Sequence, residues 1–170
     1  MKQANILTID KEKILFFIQF ALLASIATLA PLFGQQAITG SIVNANLFVS
    51  TALLGVQAGI LIGLLPSLVA LSIGLLPPVL APMIPFIMVG NTILVIIFNY
   101  LKETNYWLGV ITASALKFIF LFSTSSIVIE LFLKKEIAKK IATMMSWPQL
   151  LTALAGSLIA YTFLKGIKKI

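Results

Sequence analysis

Apolar residues run along this chain in six long blocks, separated by short polar, proline-containing or charged breaks. The blocks cover about residues 14–33, 38–54, 57–76, 83–101, 106–133 and 147–164. Each is close to the ~20 residues a helix needs to cross a bilayer. The pattern predicts an all-α integral membrane protein, a six-transmembrane-helix bundle that forms one domain over residues 1–170.

The breaks differ in kind. The first thirteen residues are polar and carry Lys2, Lys11 and Lys13. The apolar stretch after them is too long for a secretory signal and runs on into further spans. Pro31 and Gly34 end the first block, since both residues terminate helices, and residues 35–40 read as a short uncharged polar loop. No charged residue occurs between Gly34 and Lys102, so only Gly55 and Gln57 mark the turn between the second and third blocks. Pro77, Pro78 and Pro82 forbid a continuous helix there, because proline lacks an amide donor and pushes the preceding residue towards extended geometry. This stretch reads as a loop at one membrane face. Lys102 and Glu103 close block four. Block five is longer than a bilayer requires, so it tilts or projects into solvent. Residues 134–140 form a charged loop, in which Lys134 pairs with Glu130 one helical turn earlier. Ser146 then caps block six, with Pro148 in its first turn.

Composition narrows the class. Of 170 residues, 60% are hydrophobic and 10% charged, against about 25% charged in a soluble domain. Mean hydropathy is +1.10. So few charges cannot cover a soluble surface, and the length leaves no room for a separate soluble domain. The net charge is +7, from twelve basic and five acidic residues. Six spans put both termini on one side, together with Lys2, Lys11, Lys13, Lys102, Lys165, Lys168 and Lys169. The other side has Lys134, Lys135, Lys139 and Lys140. By the positive-inside rule the termini are cytoplasmic and the protein is a multi-pass protein of the cell membrane.

Charge type excludes several functions. Every basic residue is lysine, which argues against nucleic-acid partners, where arginine supplies bidentate contacts. Without Cys or His there is no structural zinc, iron–sulfur cluster, disulfide or thiol chemistry, and no cofactor is expected. No glycine-lysine nucleotide loop is present, so ATP hydrolysis falls to other subunits. No carboxylate pair lies within the spans, which leaves an intramembrane enzyme the weakest reading.

Lys117 breaks the apolar run of block five, about 16 Å from Tyr106 along a helix. A lysine this deep costs a few kcal/mol to insert, so it should face the bundle interior or a polar cavity and meet an anionic or strongly hydrogen-bonding group; the bland alternative is a snorkelling side chain. Asn91 in block four offers two donors and an acceptor, for a substrate or for an interhelical bond. Asn44 and Asn46 project about 200° apart on a helix, so at most one faces a given cavity. Gln35, Gln36, Trp147 and Gln149 lie at block ends opposite the termini, with Lys134 and the proline-rich loop. They read as the rim of a pocket, and Trp147 also suits an interfacial anchor. Ala21/Ser25 and Ala24/Thr28 are small-xxx-small pairs that let another helix approach closely. Gly55, Gly59 and Gly63 form a second close-packing stripe, and Pro66 should kink the same helix.

The layout resembles the substrate-binding S components of energy-coupling factor (ECF) transporters. The resemblance lies in the alanine-rich first helix, Ala21 to Ala30. It lies also in the stretch from Asn44 to Asn91 with its glycine-rich third helix, Pro77-Pro78 and Gly90-Asn91, and in the tail around Trp147-Pro148-Gln149. It implies a subunit that captures a vitamin or similar micronutrient outside, and an anionic one would suit Lys117. It further implies docking through Ala21, Ala24, Ser25 and Thr28 onto a membrane scaffold that carries two ATPases. Family substrate sites draw on the loop after helix one and on helices four to six, which contain Gln36, Asn91, Lys117, Trp147 and Gln149. The competing reading is a structural or regulatory membrane protein that forms homo-oligomers without a ligand.

Overall fold

The computed structural model describes residues 11–74, 78–132 and 141–170. Six long helices fill these segments, with no strand among the described residues: α1 Lys11–Leu29, α2 Gln36–Leu54, α3 Val56–Ser72, α4 Ile84–Leu101, α5 Tyr106–Phe132 and α6 Trp147–Gly166. Five stretches, Lys11–Phe33, Gln36–Leu54, Ala81–Leu101, Tyr106–Val128 and Ile141–Gly166, are long and apolar enough to cross a membrane, and α3 is a shorter apolar helix. The protein is an all-α membrane bundle.

Several boundaries differ from the sequence expectation, each for a local reason. The first block tightens into a 3-10 turn at Ala30–Phe33, where Pro31 removes a donor and the Gly34 amide donates to Pro31 O at 3.0 Å. Nothing after Gly34 breaks a helix, so residues 36–40 join α2 and are not a loop. The α2–α3 turn is the single residue Gly55, whose φ of 86° lies in the region that only glycine enters freely. The third helix stops at Ser72, short of residue 76, as the chain turns through Ile73 and Gly74. Part of the expected proline loop is instead a 3-10 turn, Pro78–Met83, a tight geometry that accepts the fixed φ of proline. Pro66 sits inside a continuous α3, and its missing amide leaves the Ile62 carbonyl without its usual helical donor. Residues 1–10, Pro77, Lys134 with the rest of the charged loop, and the side chain of Glu130 lie outside the described residues.

α2 is the central helix. Its residues from Val43 to Thr51 are all buried, as expected of a helix surrounded on every side. It packs most extensively on α6, while α4 packs on α5. Gly156 makes the α2–α6 contact possible, since a Cβ there would lie 2.7 Å from both Ala45 N and Ser41 O. Between membrane helices such contacts gain their energy from van der Waals packing. The largest fully buried side chains include Phe48, Phe98, Leu47 and Ile62.

The helices alternate in direction. One pole therefore gathers the ends of α1 and α3 with the starts of α2, α4 and α6. The opposite pole holds the start of α1, the α2–α3 turn, the α4–α5 turn and the end of α6.

Candidate functional site

A partly open cavity of about 500 Å³ lies at the first pole. Its size falls within the ~300–1,000 Å³ typical of small-molecule sites. It exists because the helices do not close there with large side chains: α3 presents Pro66, Ser67 and Ala70, and α2 presents Thr39 and Gly40.

Lys117 belongs to the cavity lining and is 3% exposed. Its Nζ donates to Asn44 Oδ1 at 2.6 Å and to Asn91 Oδ1 at 2.8 Å. The amide nitrogens of those asparagines point away from the lysine. Asn44 Nδ2 donates to Thr152 Oγ1 at 3.4 Å, and Asn91 Nδ2 donates to the Gly63 carbonyl at 2.8 Å. Thr152 in turn donates to the Gln149 carbonyl at 3.2 Å. One amine therefore ties α2, α3, α4, α5 and α6 into a single polar network.

Helix geometry brings these groups together. Asn44 lies on the one face of α2 that turns towards α5 and α6. Asn91 can reach Gly63 because a Cβ at Gly63 would meet Asn91 Cβ at 3.2 Å, so a larger residue would hold the two helices apart. Among the described residues Lys117 has no carboxylate partner, whereas Lys102 pairs with Glu103 at 2.6 Å. An ammonium has three donors, and two are used.

The rim is made of amides. Gln36 Nε2 and Gln149 Nε2 both donate to the Met144 carbonyl, at 2.7 and 3.0 Å, and tie α2 and α6 to the segment before α6. Gln35, Gln36 and Gln149 all line the cavity. Among the described residues no group of three or more His, Cys, Asp or Glu side chains could hold a metal ion.

Five of the six candidate binding residues thus meet in one place: Gln36, Asn44, Asn91, Lys117 and Gln149. Trp147 does not. It is 61% exposed on the outer face of α6, in line with exposed Leu151 and Leu158. Two residues of helix place it about 200° from Gln149, a position that suits an interfacial anchor. Asn46 is buried but faces α1, where it donates to Leu23 O at 2.5 Å. Thr152, Met144 and Met145 line the cavity without having been singled out. Thr152 was findable, since it lies three residues after Gln149 and so on the same helix face.

On α1, Ala21 and Ser25 are exposed, with Ser25 Oγ bonded to Ala21 O at 2.8 Å. Ala24 and Thr28 are half-buried, and Ala24 packs against the core. The two small-residue pairs therefore face different ways. Large apolar side chains surround the exposed pair, including Phe17, Leu22 and Ile26.

No family model matches the chain, and neither a curated protein nor a solved structure matches it.

Proposed function

We propose that the protein is a membrane-embedded substrate-binding subunit of an ECF-type importer, which captures a vitamin-like micronutrient outside and releases it inside. One observation carries this reading: a buried lysine in the lining of a cavity that opens at a single pole. A lysine at that depth costs about 2.5–3.5 kcal/mol on insertion scales. The two asparagine oxygens offset part of that cost without neutralising the charge, and an anionic ligand in the cavity would offset the rest. The cavity pole faces outside, and the termini and Lys102 lie in the cytoplasm, in keeping with the lysine distribution. Transport energy comes from partner subunits, a membrane scaffold with two ATPases, and the exposed Ala21/Ser25 patch of α1 is the docking surface.

Two experiments test this. Affinity purification from the native membrane is expected to bring down a scaffold and two ATPases, and Ser25→Leu is expected to reduce their recovery. Elution of a homo-oligomer alone would favour the structural reading. Uptake by the assembled complex should require ATP.

A further inference from the structure

We infer that the cavity is built for a small organic monocarboxylate, with one carboxylate oxygen on Lys117 Nζ and the uncharged remainder of the molecule against the upper walls. The inference rests on the binding-subunit reading and narrows its substrate class. Three features of the site carry it.

The first is charge. Lys117 is the single charged side chain among the described lining residues. A ligand with one negative charge makes the occupied site neutral, and neutrality matters where surrounding lipid and apolar side chains solvate charge poorly. A cationic ligand would face Lys117 with no acid to offset it. A zwitterion would leave its own cation unpaired.

The second is the direction of the amides. An ammonium can be approached only by acceptors, so Asn44 and Asn91 must turn their oxygens towards Nζ, as they do. The surroundings of Nζ are therefore rich in acceptors, with one N–H left over. A carboxylate fits this, since it accepts through a single oxygen and keeps its second oxygen free for the open side. A phosphate monoester carries about −1.5 to −2 charge and three acceptor oxygens. It would press those oxygens against the two asparagine carbonyls with only one donor to hold it.

The third is the lining above. Val43, Ile87 and Met145 supply apolar wall. Gln36 and Gln149 each place one N–H on Met144 O, which leaves the carbonyl oxygen and a second N–H of each amide for a ligand's polar end at the rim. A ligand with an acid at one end and a hydroxyl or N–H at the other would use both ends of the cavity.

The test uses matched probes on four skeletons: benzoyl, phenylacetyl, 4-hydroxyphenylacetyl and hexanoyl. Each is offered as monocarboxylate, primary amide, primary amine and phosphate monoester to the full-length protein in nanodiscs at pH 7. Affinity is read by calorimetry and by the rise in Tm. The carboxylate is expected to bind at least tenfold more tightly than its amide and its phosphate ester. In Lys117→Met that ratio should fall to about one. Asn44→Asp is a second, nearly isosteric variant that places a fixed carboxylate on Nζ, and it should remove the preference in the same way while leaving the helix in place. Tighter binding of the amides, amines or phosphate esters overturns the monocarboxylate inference and leaves the binding-subunit reading intact. A carboxylate preference that survives in both variants also overturns it. Failure of every probe to bind folded wild-type protein counts against both.

Discussion

The two poles of the bundle are made from the same helices and solve different problems. At the termini-side pole the gap between α2, α4, α5 and α6 is filled by aromatic rings. Phe48 meets Phe98 edge-on at 4.8 Å, Phe98 meets Tyr106 at 5.5 Å, and Tyr106 meets Tyr161 at 5.4 Å. Tyr161 also contacts Trp107 at 5.0 Å and carries Lys165 Nζ 5.6 Å above its ring. These spacings suit the ring quadrupoles. The Tyr106 hydroxyl completes the seal by donating to Ser157 O at 2.9 Å. Just outside it Lys102 holds the exposed Glu103 carboxyl below the usual carboxylate range through a hydrogen bond and its charge. At the other pole the same interhelical space contains a lysine, two asparagines and three glutamines around a cavity. Tight packing at one end lets the other remain incompletely packed and polar without loss of the fold.

That division of labour can be broken from either end. The largest effect is expected from Gly156→Leu. The new side chain would meet backbone atoms of α2, which cannot give way, and the cost should exceed about 4 kcal/mol. Fluorescence-detected size exclusion should show loss of the monodisperse peak. Phe98→Ala empties the aromatic seal and should cost about 3–5 kcal/mol, seen as a lower Tm. Probe affinity at the far pole should stay within about twofold; a large affinity loss would mean that the poles are not separable. Tyr106→Phe keeps the ring and removes one hydrogen bond, so it should cost about 0.5–1.5 kcal/mol. Ser114→Ala should have the smallest effect and the opposite sign. Ser114 Oγ is buried with no partner among the described residues, so its removal should leave Tm unchanged or slightly raised.

The blocks of apolar residues carried the fold, because a helix in lipid must be long, apolar and internally hydrogen-bonded, and those demands are written locally. Lys117, Asn91 and Asn44 were legible for a related reason: polar groups inside an apolar run need partners, so each announces a neighbour. Which neighbour was less visible. The Asn44–Lys117 and Lys117–Asn91 bonds join residues far apart in the chain, and they depend on helix rotations set by small-residue contacts such as Gly63 and Gly156. Trp147 admitted both readings, because an aromatic residue beside a polar one looks alike in sequence whether it faces a cavity or lipid. The helix start at Gln36 was missed because polar residues after a glycine look like a loop, although none of them breaks a helix.

Gly55 has a mechanical consequence. Leu54 and Val56 cannot separate by more than about 7 Å, two Cα–Cα steps, so α2 and α3 are pinned together at the sealed pole. Their free ends border the cavity, one through Gln36 and the other through Ala70. The arrangement is that of a peg with its half-buried pivot at the sealed pole and its jaws at the mouth. α3 is a lever of about 25 Å, so a rotation of about 5° at Gly55 displaces the cavity wall by about 2 Å while the pivot scarcely moves.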